Sequence, residues 1–354
     1  MELRSLTILK DDKRTSSLDV FRGIAILSVV IFHFGYLPYG YLGVNLFFVI
    51  SGILIGGILI NEFDKGVKIN FFKFLLSRGF KIWPSYYVFL ILGNILVYFI
   101  YGQSHPEQII EIWDFKRYIF FYQNYTGEPY HKIFDVVWSL CVEEHFYILL
   151  PILLIIIQFL LKPNNQMKYL LIFILVVIIM GTIFKFLSFY FTNGKDTIAG
   201  TQNNIDALGW GVLFSYLLKR YGLIFKSNIS FLYFIVGFLF TTALIVIHIY
   251  WDSVIYAKIL FTSLIPIGIF FMILGLYYID FSKFLVLRFI AYYSYNWYLW
   301  HCFFLFWFYD HIGKNIFGLL GYLIISFCMA MFFTIFIEEK ALSLRKVFLK
   351  RVFN

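Results

Sequence analysis

The chain has 354 residues, of which 61% are hydrophobic and 14% charged, and its mean hydropathy is +0.82. That balance lies far outside the range of soluble globular domains. The formal net charge of +9 needs no nucleic-acid partner, because basic residues gather on the inner loops of any membrane protein. Apolar runs of about 20 residues that cross lipid must satisfy their own backbone groups. The fold class expected is therefore an all-α polytopic membrane protein, whatever the strand preference of its many Ile, Val, Phe and Tyr residues.

Ten candidate spans follow in chain order, at about 18–35, 41–60, 83–102, 138–161, 168–191, 203–219, 229–250, 255–278, 286–310 and 316–338. They read as one bundle forming a single domain over 1–354, with no appended soluble domain and no internal repeat. The first run, Leu18 to Phe34, lacks a small-x-small exit and is expected to be a retained helix. It holds Arg22 and His33. An arginine at membrane depth needs a partner or a task. Eleven residues at about 100° each return His33 to within roughly 20° of Arg22, about 16 Å farther along the helix.

In the second span, Asn45 and Ser51 read as close-packing positions. The fourth carries Glu143 and Glu144, and the sixth is short and polar at its start. Lys185 and His248, near the outer ends of their spans, read as interfacial. Cys141, Cys302 and Cys328 fall in apolar runs without CxxC spacing and read as small core residues, neither a disulfide framework nor a metal site. Haem ligation by His33, His145 or His301 is disfavoured, since no two share a helix at bis-histidine spacing.

With the N-terminus inside, 21 Lys and Arg lie on inner segments and 6 on outer ones. Both termini are thus expected to be cytoplasmic. At about 1.5 Å per residue, His33, His301 and Glu144 fall about 21–22 Å above the inner side, with Glu143 one residue shallower. A structural ion pair is one explanation of such a layer. A cavity with acid–base chemistry is the other, and the one preferred here.

These residues resemble a known family. Arg22 and His33 are similar to the Arg-X10-His signature of the membrane-bound acyltransferase 3 family. Residues 41–55 (YLGVNLFFVISGILI) resemble its GxxLFFxxSGxLI stretch, and 78–87 (RGFKIWPSYY) its RxxRIxPxYY segment. Residues 138–147 (WSLCVEEHFY) are similar to WSLxVEExFY, and 294–301 (SYNWYLWH) to SYxxYLWH. Two departures stand out. Lys81 replaces the second arginine of RxxR, keeping the charge and losing the fork. Asn204 replaces the arginine of a TxxRxD-like segment at 201–206 that ends in Asp206. The chain ends soon after its tenth span, so the extracytoplasmic esterase-like domain fused to some members is expected to be missing.

The resemblance implies transfer of an acyl group, usually acetyl, from cytoplasmic acyl-CoA to a hydroxyl of a surface glycan or its lipid-linked precursor. Acetyl-CoA would be a co-substrate, with no bound cofactor and no metal, in a bacterial cytoplasmic (inner) membrane. Arg78 and Lys81 would dock the donor's phosphates, joined by Arg22, which binds the donor or offsets developing charge. His33 is expected to act as general base on the acceptor hydroxyl. Glu143 or Glu144 would orient the acceptor or stabilise the imidazolium. Ser139, Tyr147, His301 and Asp206 are candidate supporting groups. An acyl-histidine intermediate and direct transfer are both open. The competing class is a transporter or flippase of a lipid-linked sugar, since intramembrane Arg, His and Glu suit it equally. Against it stand the missing repeat and the lack of paired broken helices.

Overall fold

A computed structural model of the protein describes residues 16–125, 131–192, 199–222, 229–251 and 255–353. The described secondary structure is helical throughout. The long helices are α1 (Ser16–His33), α2 (Leu42–Asp64) and α3 (Phe71–Tyr101), then, after the short α4 (Phe115–Ile119) and α5 (Lys132–Asp135), α6 (Trp138–Leu160), α7 (Pro163–Phe191) and α8 (Ile205–Tyr221). They continue with α9 (Ser230–Trp251), α10 (Ile255–Leu276) and α11 (Leu285–Trp300), the short α12 (Leu305–His311), α13 (Ile316–Phe333) and α14 (Glu339–Phe353).

Eight described helical stretches are long and apolar enough to cross a membrane. Helices α8 and α11, which would complete the ten expected spans, have 17 and 16 residues. This is a multi-pass membrane protein. Local sequence sets several helix ends. Asn70 caps α3 by accepting the Lys73 amide at 2.9 Å, and Asn315 caps α13 by accepting that of Gly318 at 2.9 Å. Pro84, Pro151 and Pro266 lie inside helices, each removing one backbone donor.

The ninth expected span is not one continuous helix. Helix α11 stops at Trp300, a 3-10 turn covers His301–Phe304, and α12 follows. In a continuing α-helix the Tyr298 carbonyl would receive the N–H of residue 302. The same carbonyl receives the His301 ring at 2.7 Å, at the point where the 3-10 turn begins.

By contacts, the described residues form two compact units interleaved in sequence, one drawing on 16–22, 44–69 and 142–285, the other on 23–43, 70–141 and 286–353. In the first, α2 and α8 cross backbone to backbone at glycines. A Cβ on Gly52 would sit 2.9 Å from the Gly211 Cα, so only small residues permit this approach. In the second, α1 and α11 meet similarly, and a Cβ on Gly23 would lie 3.1 Å from the Leu287 carbonyl carbon. Trp300 there stacks on Phe333 with centroids 4.3 Å apart, just before a π-helical turn at Thr334–Glu338.

Two sequence readings change. Lys185 is 4% exposed rather than interfacial, because a carboxylate on another helix receives it. Cys141 and Cys302 are buried as expected, but Cys328 is exposed, on a face of α13 that offers apolar side chains outward.

Candidate active site

In the second unit, the close approach of α1 and α11 brings together the two histidines that end them. The rings of His33 and His301 meet edge to face, centroids 5.0 Å apart and planes at 61°. His301 is fully buried and His33 partly exposed. A carbonyl only accepts, so the 2.7 Å contact from His301 Nδ1 to the Tyr298 oxygen puts the hydrogen on Nδ1. Nε2 is then left as an acceptor, and Cys302 Sγ lies 3.3 Å from it. The Tyr309 hydroxyl donates to the His33 carbonyl at 3.0 Å and holds the end of α1. Ser139 donates to the Tyr298 hydroxyl at 2.8 Å, which itself donates to the Val136 carbonyl at 2.6 Å. The SYxxYLWH-like stretch therefore supplies both the histidine and the tyrosine that anchors its turn.

His33, His301 and Cys302 place one ligand-type atom each within 4.8 Å of the others. Soft metal ions use such a donor set, where the sequence reading expected no metal. Ligands of one tetrahedral ion stand roughly 3.5 Å apart, given metal–ligand bonds of about 2.0–2.3 Å. The cluster would have to close by about 1 Å to hold an ion. It is therefore shaped first as a thiol in hydrogen-bond contact with one imidazole, with a second imidazole beside them.

In the first unit, Tyr147 and Glu143 stand one turn apart on α6. The Tyr147 hydroxyl donates to Glu143 Oε2 at 2.7 Å, and Ser51 Oγ lies 3.1 Å from the same hydroxyl. The phenol hydrogen is committed to the carboxylate, so Ser51 is the donor in the second contact. Ser51 is thus more than the close-packing position its sequence suggests: it is part of a polar chain across α2 and α6. Glu144 is 4% exposed. His145 Nδ1 lies 2.7 Å from Thr201 Oγ1.

Asp206 is fully buried at the start of α8, where Lys185 Nζ of α7 donates to its Oδ2 at 2.7 Å and to the Thr262 carbonyl at 3.0 Å. The cation missing at Asn204 thus comes from another helix. Asn204 instead donates to the Gly200 carbonyl at 3.0 Å, ahead of the helix start. Arg22 lies partly buried in α1, eleven residues before His33 on the same unbroken helix.

Of the three expected donor-binding cations, Arg22, Arg78 and Lys81, the last is ion-paired with Glu338, whose side chain is 4% exposed against 34% for the lysine. Asn296 donates to the other Glu338 oxygen at 2.8 Å and to Thr334 Oγ1 at 3.0 Å. The π-helical turn thereby presents Glu338 inward. The Arg78 guanidinium lies over the Phe74 ring at 5.9 Å.

Sequence reasoning missed Glu338, Asn296, Cys302, Tyr298 and the Lys185 pairing. Lys185 did carry a signal, as a charge inside an apolar run. Cys302 sits beside a flagged histidine, but adjacency in sequence does not predict contact of side chains.

A family model described as an acyltransferase domain matches residues 15–339. The O-acetyltransferase OatA of Staphylococcus aureus is 28% identical over 233 residues, covering 60% of this chain and 36% of that protein. The peptidoglycan O-acetyltransferase OatA of Listeria monocytogenes is 28% identical over 170 residues, 44% of this chain and 27% of its own length. The chain thus spans about a third of the length of these curated relatives. No solved structure matches it. With a family match over nearly all its length, and the resembling motifs holding the histidine pair and the Glu143–Tyr147 contact, this chain belongs to the acyltransferase 3 family.

Proposed function

We propose that the protein is an integral-membrane O-acetyltransferase of a surface glycan. It would move an acyl group, acetyl in the simplest case, from cytoplasmic acetyl-CoA to a hydroxyl of a cell-surface polysaccharide, peptidoglycan or a lipid-linked precursor. The observation that carries this reading is the acyltransferase-domain match across residues 15–339, and the names of the relatives favour a glycan acceptor. The whole chain works as one domain in a bacterial cytoplasmic membrane, with both termini inside, as the distribution of basic residues suggests.

His33 takes the proton of the acceptor hydroxyl as that oxygen attacks the acyl carbonyl. Support for this role is its partial exposure beside a buried imidazole. Glu143, held by Tyr147 and Ser51, orients the acceptor, and Glu144 offers a second carboxylate for the same task. Arg22 offsets the negative charge that develops on the carbonyl oxygen. Arg78 and the exposed part of Lys81 receive the donor's phosphates. Ser139 and His301 keep the α11 turn in place, and Asp206 fixes α8 through Lys185. No bound cofactor is required, because the thioester itself is the activated group.

The test is the mass of the host's surface glycans in cells carrying wild type, a deletion, and His33→Ala at matched levels. An acyl increment found only with wild type is the expected result. Unchanged acylation with altered glycan amount or chain length would instead point to transport and sink the enzymatic reading.

A further inference from the structure

Cys302 and His301 have the geometry of a nucleophile and its base. The thiol sulfur lies 3.3 Å from Nε2, and Nδ1 on the other side of the ring is tied to the Tyr298 carbonyl at 2.7 Å. A nucleophile in hydrogen-bond reach of a base, itself oriented by a third group, is the arrangement that activates covalent catalysts. Ser139 and Val136 in turn hold Tyr298, so the orienting group is itself anchored. A second imidazole, His33, brings a ring nitrogen within 4.8 Å of the sulfur and is the only partly exposed member of the three.

We propose that Cys302 is a catalytic residue that carries the acyl group as a thioester between donor and acceptor, with His301 serving the first half-reaction and His33 the second. This rests on the transferase reading above. In the first half, the thiol proton passes to His301 Nε2 and the sulfur attacks the carbonyl carbon of the donor thioester. The carbon–sulfur bond to the donor breaks, and its thiolate leaves with the proton from His301. One thioester is exchanged for another, so the step is close to energetically neutral. In the second half, the acceptor hydroxyl gives its proton to His33 and its oxygen attacks the acyl carbon. The bond to Cys302 Sγ breaks and the thiolate recovers a proton from His33. No oxidant, reductant or further co-reactant is needed. The two neighbouring histidines then have separate work: one is buried beside the thiol, and the other faces the incoming hydroxyl.

The test uses the purified full chain in lipid nanodiscs with acetyl-CoA and labelled free CoA. A carrier mechanism exchanges label between CoA and acetyl-CoA with no acceptor present, whereas direct transfer does not. Wild type should catalyse exchange and transfer. Cys302→Ala should lose exchange by at least a hundredfold, while His33→Ala keeps exchange and loses transfer. A folding defect would not separate the two activities in that way. Acid-quenched wild type should also carry one acetyl increment on the peptide containing Cys302, removed by neutral hydroxylamine. Transfer without exchange in wild type, or exchange surviving in Cys302→Ala, overturns the proposal. A wild-type protein with neither activity would instead count against the transferase reading itself.

Discussion

The imidazoles of His33 and His301 meet edge to face with centroids 5.0 Å apart, although 268 positions separate them in the chain. The contact exists because α1 and α11 approach closely at Gly23 and both end at the same level. One ring is buried with its tautomer set by a carbonyl; the other keeps a route outward. This asymmetry lets two chemically identical side chains take different protons.

Loss of the exposed ring should cost the rate and spare the fold. His33→Ala is expected to lower acetyl transfer by about 10²–10⁴-fold, the usual share of a general base. Its melting temperature in detergent should stay near that of wild type, since the hydrogen bond that holds the end of α1 is made to the backbone carbonyl of His33 and survives the change. Transfer within threefold of wild type would remove the base assignment.

Tyr147 both donates to Glu143 and receives Ser51. Tyr147→Phe removes both contacts. The expected result is a fall in kcat of about tenfold, with smaller change for Ser51→Ala, because one neutral hydrogen bond contributes about 1 kcal/mol. Rates measured at saturating donor would reveal it. Equal, wild-type rates in both variants would mean that Glu143 needs no orienting.

The Lys185–Asp206 pair is buried on both sides. Removing one charge strands the other, so Lys185→Met should destabilise the protein by about 3–5 kcal/mol. The double variant Lys185→Met with Asp206→Leu should recover most of that loss. Thermal unfolding in one detergent compares the three proteins directly. A double variant no better than the single one would show that the ions are needed individually.

Lys81 faces two demands: Glu338 within the fold and, in our proposal, the donor's phosphates. Lys81→Met should lower stability by about 2–3 kcal/mol, less than for a fully buried pair because the lysine is a third exposed. Adding Glu338→Leu should restore the melting temperature. KM for acetyl-CoA should stay raised in both variants. If KM returns together with stability, Lys81 is structural alone.

Tyr118 tests a point outside the membrane spans. Burial, and then the Asp135 carboxylate to which it donates at 3.0 Å, hold its phenol well above the ordinary value of about 10. A raised folded-state value stabilises the protein fully at pH below about 10, and this is lost as pH rises further. Tyr118→Phe should thus be less stable than wild type by about 1 kcal/mol at neutral pH. Melting curves should show the gap narrowing above about pH 10. A gap that is constant or widens there would contradict the assigned partner.

Much of this protein was legible in the amino-acid chain, for a physical reason. Lipid offers no hydrogen bonds, so long apolar runs must be helices; the start of α3 at Phe71, well ahead of the span expected from 83, is set by the Asn70 cap, which the apolar pattern does not reveal. The spacing of Arg22 and His33 is a property of one helix. Pairing between helices is different, because side-chain period says which face a residue takes and not which neighbour it meets. Lys185 found Asp206, Ser51 found Tyr147, and Lys81 found Glu338 only when packing brought their helices together. The break of α11 at His301 was equally hidden. The His301 ring donates to the Tyr298 carbonyl where the 3-10 turn begins, and the period of an apolar run gives no sign of such a turn.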